Sequence, residues 1–120
     1  MVVEDDRDSL FTLLDLLRSE GHVARGVGSA KEMWNIIRDF APDVCLIDIG
    51  LPDRSGYDIA QEMNRLFGEA RPRLIAVTAW IKSSDRILAK LAGFDRHVGK
   101  PYDPNALLAL VSDMASGSHR

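Results

Sequence analysis

The sequence predicts one α/β domain in which five parallel strands form a sheet covered by helices on both faces. Three observations lead there. Apolar runs of strand length alternate five times with stretches whose apolar residues recur at three- and four-residue spacing. The joins are short, as in helical crossovers between parallel strands. The 120 residues, 46% hydrophobic and 28% charged, suit a single globular unit with its own core.

Each element has its own signal. Val2 and Val3 open as a very short strand. Leu10, Leu13, Leu14 and Leu17 repeat at helical spacing, with Asp8 or Ser9 as cap and Gly21 as stop. His22 to Val27 reads as the second strand. Ser29 and Glu32 form a capping box for a helix bearing Met33, Ile36, Ile37 and Phe40, which Pro42 ends. Val44 to Asp48 is the third strand. Gly56 and Tyr57 lead into a helix with Ile59, Met63 and Leu66 on one face. Leu74 to Thr78 is the fourth strand. Ser83, Ser84 or Asp85 caps a helix carrying Ile87, Leu88 and Leu91, which stops at Gly93. His97 to Lys100 is the fifth strand. Asp103 and Pro104 supply an N-cap with proline at the first helical position, and Leu107, Leu110, Val111 and Met114 form the last buried stripe.

Right-handed crossovers leave few topologies. In the order 2-1-3-4-5, a flavodoxin-like (βα)5 three-layer sandwich, the ends of strands 1, 3, 4 and 5 lie side by side, at the sheet edge where open α/β folds keep their chemistry. The domain is expected over residues 1–115. Residues 116–120, small and polar, read as a loose tail or linker stub. So few residues precede the first acids that the start is consistent with an excised piece in which Met1 replaces an upstream residue. One cysteine, Cys45, cannot form an internal disulfide and implies a reducing, cytoplasmic setting. No apolar stretch reaches membrane-spanning length, and no signal peptide is visible. A net charge of −3 provides no broad basic field, so direct nucleic-acid binding is not expected.

The strand ends carry the chemistry. Asp48 closes the third strand and is followed by Gly50 and Pro52; Glu4 and Asp5 close the first; Thr78 and Lys100 close the fourth and fifth. Two carboxylates about 4 Å apart repel by about 4 kcal/mol at an effective dielectric near 20. Such a cluster calls for a cation or for protons. Hard oxygen ligands with room for water and phosphate favour Mg²⁺. A metal, a lysine, a hydroxyl and backbone N–H groups together meet the needs of a phosphoryl group, with Asp48 as the nucleophile that becomes an acyl phosphate.

The run Val2 to Asp6, the segment Asp48 to Pro52 with Ser55, Gly56 and Tyr57, the triplet Val77-Thr78-Ala79 and the pair Lys100-Pro101 resemble the receiver domain of two-component response regulators. The likeness covers essentially the whole chain, in order, with 43 positions from Asp5 to Asp48, 30 from Asp48 to Thr78 and 52 from Asp48 to Lys100. The segment Gly93 to Pro101 is more similar to receivers of hybrid sensor histidine kinases. The resemblance implies that Asp48 accepts a phosphoryl group from a phosphohistidine on a histidine kinase or a histidine phosphotransfer protein. It implies that Asp5 and Asp48 bind Mg²⁺ directly, that the Gly50 carbonyl completes the protein ligands, and that Glu4 helps through water. Thr78 and Lys100 would grip the phosphoryl oxygens. Thr78 and the residue at position 97 would act as the switch, the Lys100–Pro101 bond would be cis, and helix 4, strand 5 and helix 5 would form the face that meets an effector.

The chain departs from the family pattern at His97, where many regulators carry Tyr or Phe. Gly50 and Trp80 stand at positions that influence phosphate lifetime in the family; Gly50 cannot steer a water, and Trp80 reads as a shield or a partner contact. Asp6 reads as a cap, a solvated acid or a metal neighbour, and Asp53 as a turn residue. Cys45 reads as a silent core residue and Trp34 as partly exposed. Two other functions use a strand-end aspartate or this fold. One is a Mg²⁺-dependent phosphatase of the haloacid dehalogenase kind, which needs a second acid where Gly50 stands. The other is a receiver-like binding module that takes no phosphate.

Overall fold

The computed structural model of the chain describes residues 1–79 and 83–117; Trp80 lies outside the described residues. The element order is β1 (Val2–Val3), α1 (Arg7–Ser19), β2 (Gly26–Val27), α2 (Ala30–Phe40), β3 (Val44–Asp48), α3 (Gly56–Phe67), β4 (Arg73–Thr78), α4 (Ser83–Ala92), β5 (Arg96–Gly99) and α5 (Pro104–Gly117), with a 3-10 turn at Gly68–Ala70. The five strands are parallel and ordered β2-β1-β3-β4-β5.

Alternation along the strands divides the core between the two faces of the sheet. Val2, Val44, Leu46, Ile75 and Val77 pack under α1 and α5. Val3, Cys45, Ile47, Leu74 and Ala76 pack under α2, α3 and α4. Each large aliphatic chain so buried contributes about 1.5–3 kcal/mol relative to exposure. None of the described helices is long and apolar enough to cross a membrane.

Several elements differ from expectation. β2 pairs only at Gly26 and Val27, not from His22, because β1 offers just Val2 and Val3 as a ladder. Upstream, Val23 is 85% exposed and the Arg18 guanidinium takes the Ala24 carbonyl at 2.8 Å. Gly26 makes room there: a Cβ would meet Leu10 Cδ1 at 2.6 Å and Leu14 Cδ1 at 2.8 Å, and both leucines would have to shift. α1 is capped by Asp6 rather than Asp8 or Ser9, since its carboxylate accepts from the Ser9 amide at 3.0 Å. The α2 box is offset: Ser29 Oγ accepts from the Glu32 amide at 3.2 Å, but the Glu32 carboxylate accepts from Gly28, not Ser29. In α3 the apolar face runs through Ile59, Met63 and Phe67, which leaves Leu66 44% exposed. Along α4, Ile87, Leu88 and Leu91 face outward and Ala89 and Ala92 face the sheet. α4 begins at Ser83, so Ser84 and Asp85 fall in its first turn. In α5, Asp103 caps the Asn105 amide at 3.1 Å as expected, Leu110 is only half-buried, and the helix runs two residues past 115, to Gly117.

Candidate functional site

The acids meet because β1 and β3 end side by side at one edge of the sheet. β1 pairs Val2 with Leu46 and Val3 with Ile47, so Glu4 and Asp5 leave the sheet beside Asp48. β3 ends at Asp48, opposite Val77, and β4 runs one residue further to Thr78. Thr78 pairs with Gly99, and its carbonyl accepts from the Lys100 amide at 2.8 Å, which sets the lysine at the same edge. The Lys100–Pro101 peptide is cis, as the resemblance implies.

Glu4, Asp5 and Asp48 each present an oxygen, and the three oxygens lie within 4.8 Å of one another. Glu4 is buried, Asp48 half-buried and Asp5 exposed, so the cluster opens to solvent on the Asp5 side. The Lys100 ammonium donates to Glu4 Oε1 at 2.6 Å and stands 3.6 Å from Asp48 Oδ2. Burial pushes the Glu4 carboxyl up and the neighbouring Asp48 adds to it, while Lys100 and the Asp6 amide oppose them without cancelling the rise. Burial pulls the Lys100 ammonium down, but Glu4 and Asp48 outweigh it and hold the group above the usual lysine value. The lysine is thus a firmly charged cation leaning on a carboxylate that burial makes reluctant to ionise. The donor set, three carboxylates converging with, among the described residues, one ammonium on them, fits a hard divalent cation. Behind the acids, a cleft of about 240 Å³ is walled by Leu13, Leu46, Val77 and Tyr102.

The loop after Asp48 is tightly tied. The Gly50 amide donates to Asp48 Oδ1 at 3.0 Å, the Ile49 amide to the Val77 carbonyl at 3.0 Å, and the Gly56 amide back to the Ile49 carbonyl at 3.0 Å. Gly56 must be glycine for this closure: a Cβ there would lie 2.8 Å from Ile49 Cα and 3.0 Å from the Asp48 carbonyl oxygen. Leu51 is buried, and Ser55 caps α3 through the Tyr57 amide at 3.2 Å.

Glu4, Asp5, Asp48 and Lys100 are therefore brought together, with Gly50 adjoining and Thr78 at the neighbouring strand end. Asp6 stays out of the cluster, exposed, as the cap of α1. His97 pairs with Ala76 and is half-buried in β5, outside the acid cluster. Cys45 is fully buried, and burial pushes its thiol up to about 11, in keeping with a silent core residue. Trp34 is half-buried against the core. Asp53 is the residue that the sequence reading missed. Rather than serving only its own turn, it accepts from the Ala30 and Lys31 amides at the start of α2, both at 3.1 Å. Those two amides hold its carboxyl below the usual carboxylate value. No local pattern announces a bond across 22 or 23 residues.

A family model described as the response regulator receiver domain matches residues 1–112. The transcriptional regulatory protein CreB of Escherichia coli (strain K12) is 33% identical over 110 residues, which covers 92% of this chain and 47% of CreB. The chain thus spans about half the length of that relative. Among solved structures, a CheY-like response regulator receiver domain protein from Methanospirillum hungatei JF-1 matches with a TM-score of 0.89 at 24% identity, over 98% of this chain and 93% of that one, a likeness of fold. The BeF3-activated receiver domain of DrrB, a Thermotoga maritima protein, matches with a TM-score of 0.83 at 29% identity, over 96% and 94% of the two chains.

Proposed function

Because this chain belongs to the response regulator receiver domain family, we propose that Asp48 is its phosphoacceptor, charged by a phosphohistidine on a histidine kinase or a histidine phosphotransfer protein. The observation that carries the assignment is the convergence of Glu4, Asp5 and Asp48 within 4.8 Å, with Lys100 bonded to Glu4 and paired with Asp48. An Asp48 carboxylate oxygen attacks phosphorus, the phosphorus–nitrogen bond of the donor breaks, and the departing imidazole keeps the electron pair and takes up a proton. Asp48 suits the role because it is half-buried at a strand mouth, where its carboxylate meets a backbone amide, a lysine and the two neighbouring acids.

Asp5 and Asp48 would hold a Mg²⁺ ion directly, with the Gly50 carbonyl as a further ligand and Glu4 acting through water. When bound, the ion supplies charge that offsets the phosphoryl oxygens. Lys100 supplies the second positive group, and Thr78 a hydroxyl donor at the adjoining strand end. We assign the switch to Thr78 and His97, and the partner-binding face to α4, β5 and α5, where Ile87, Leu88 and Leu91 are exposed. The setting is cytoplasmic, where kinases are supplied with ATP. The domain is placed at residues 1–115, with α5 carrying two residues beyond that boundary to Gly117. The two other readings are not favoured. Gly50 leaves the phosphatase without its second acid, and the presence of Asp48, Lys100 and Thr78 argues against a module that takes no phosphate.

The test is the intact mass of the protein after incubation with Mg²⁺ and acetyl phosphate. The wild type gains one phosphoryl group and Asp48→Asn gains none. A wild type that stays unmodified, with acetyl phosphate and with a phosphohistidine donor alike, would refute the assignment.

A further inference from the structure

We propose that Asp53 is a positioning residue for the cation site: its carboxylate clamps the β3–α3 loop onto the start of α2 and so fixes the Gly50 carbonyl. The proposal rests on the receiver reading above and adds a residue to it.

The first amides of a helix have no partner within the helix. In α2, Ser29 Oγ takes the Glu32 amide at 3.2 Å, and the two oxygens of Asp53 take the Ala30 and Lys31 amides at 3.1 Å each. One carboxylate thus accepts two bonds at the positive end of the helix, where an anion is held most firmly. Its other end is the loop that leaves Asp48.

Gly50 lies in the middle of that loop, exposed and without a side chain. Among the described residues, a Cβ there would meet Asp48 Oδ1 alone, at 3.8 Å, so the residue has no side-chain packing of its own to hold it. The direction of its carbonyl is therefore set by the pegs on either side. Upstream they are the Gly50 and Ile49 amide bonds to Asp48 and Val77. Downstream they are buried Leu51 and clamped Asp53, joined by Pro52, whose ring restricts φ. Mg²⁺ tolerates little departure from octahedral geometry, so a carbonyl ligand must be held in place. Groups that orient metal ligands are typically worth about 10–100-fold in metal affinity. Linkage makes the effect reciprocal: an ion on Gly50 must steady the amides of Ala30 and Lys31 through Asp53.

The experiment is a Mg²⁺ titration of the full chain followed by amide NMR, with hydrogen exchange at Ala30 and Lys31, for wild type, Asp53→Ala and Ser29→Ala. Asp53→Ala is expected to weaken Mg²⁺ binding about tenfold and to abolish the Mg²⁺-dependent protection of the two amides. Ser29→Ala removes a cap from the same helix without touching the loop, and is expected to bind Mg²⁺ within about twofold of wild type. The clamp is overturned if Asp53→Ala also binds within about twofold of wild type, or if Ser29→Ala loses as much affinity as Asp53→Ala, which would reduce the effect to fraying of α2. Should Asp53→Ala not fold, Asp53→Asn keeps one acceptor oxygen and must show a smaller loss in the same direction; no loss overturns the clamp. A wild type that binds no Mg²⁺ and takes no phosphoryl group brings down the receiver reading with it. A wild type that does both, beside an unaffected Asp53→Ala, brings down the clamp alone.

Discussion

Lys100 stands 2.6 Å from Glu4 and 3.6 Å from Asp48, two of the three carboxylates that a bound cation would draw on. A divalent ion and this ammonium repel each other while drawing on the same carboxylates. The lysine side chain is 29% exposed, so water screens the repulsion and the low end of the Coulomb range applies, on the order of 1 kcal/mol. Lys100→Met should therefore tighten Mg²⁺ binding about fivefold, read by titration of the unphosphorylated protein. The same variant should take up phosphate from acetyl phosphate far more slowly, because the second positive group for the phosphoryl oxygens is gone. Weaker Mg²⁺ binding in Lys100→Met would mean instead that the lysine organises the acids. The two readouts moving in opposite directions is the mark of a residue that serves the phosphoryl group at the expense of the metal. That Lys100 comes to lie beside the acids was legible from its place before Pro101 at a strand end. Its preference for Glu4 over Asp48 was not, because that follows from a spatial approach between residues 96 positions apart.

Among the elements, the opposite edge of the sheet is tied by one carboxylate. Asp95, just before β5, accepts from the Leu74 amide of β4 at 2.8 Å and from the Arg71 guanidinium at 2.8 and 3.0 Å, and Arg71 in turn donates to Asn64 of α3 at 2.7 Å. Burial pushes the Asp95 carboxyl up, but the Arg71 and Leu74 bonds outweigh it and hold it below the usual value. Asp95→Ala leaves a strand amide without its acceptor and takes the charged partner from the Arg71 guanidinium, which keeps Asn64 and the Pro72 carbonyl, and should cost about 2–3 kcal/mol in urea unfolding near neutral pH. A carboxyl with a depressed native value stabilises the fold above its unfolded value, 3.8, and loses that contribution as pH falls through the native one. The gap between wild type and variant should therefore hold at pH 5 and above and close in strong acid; a gap that widens in acid would contradict the assignment. Elements were legible where periodicity and burial agree, as in β3, β4 and α1. They were misread where a buried stripe was drawn too wide, as in α5, where Leu110 is only half-buried. In α4 the inward positions are Ala89 and Ala92, small enough to bring the helix close to the sheet, and the large Ile87, Leu88 and Leu91 face outward. Periodicity gives the stripe but not which side of the helix the sheet will take. β2 was overread because strand length depends on what the partner offers, and β1 offers only Val2 and Val3.

At the scale of the whole molecule, the acid cluster exists only in the folded chain. Glu4 and Asp5 come from the end of β1 and Asp48 from the end of β3, brought side by side by the register of Val3 with Ile47. Unfolding separates them by more than 40 residues of chain, so a cation that needs them together binds the native state alone. Mass action then ties metal to stability: at ten times its dissociation constant, Mg²⁺ should add about 1.4 kcal/mol, which raises the midpoint of thermal unfolding by about 5 °C in a domain of this size. Without the ion, the same acids repel one another in the native state and Lys100 relieves them only in part. Asp48→Asn keeps an oxygen for the Gly50 amide and removes one of the three charges, so it should be the more stable protein in the absence of Mg²⁺ and gain little from its addition. The melting curves of the two proteins, compared in NaCl and in MgCl₂ of equal ionic strength, should change order. Equal shifts in both would reduce the effect to screening of surface charge, and no shift in either would remove the cation from the site.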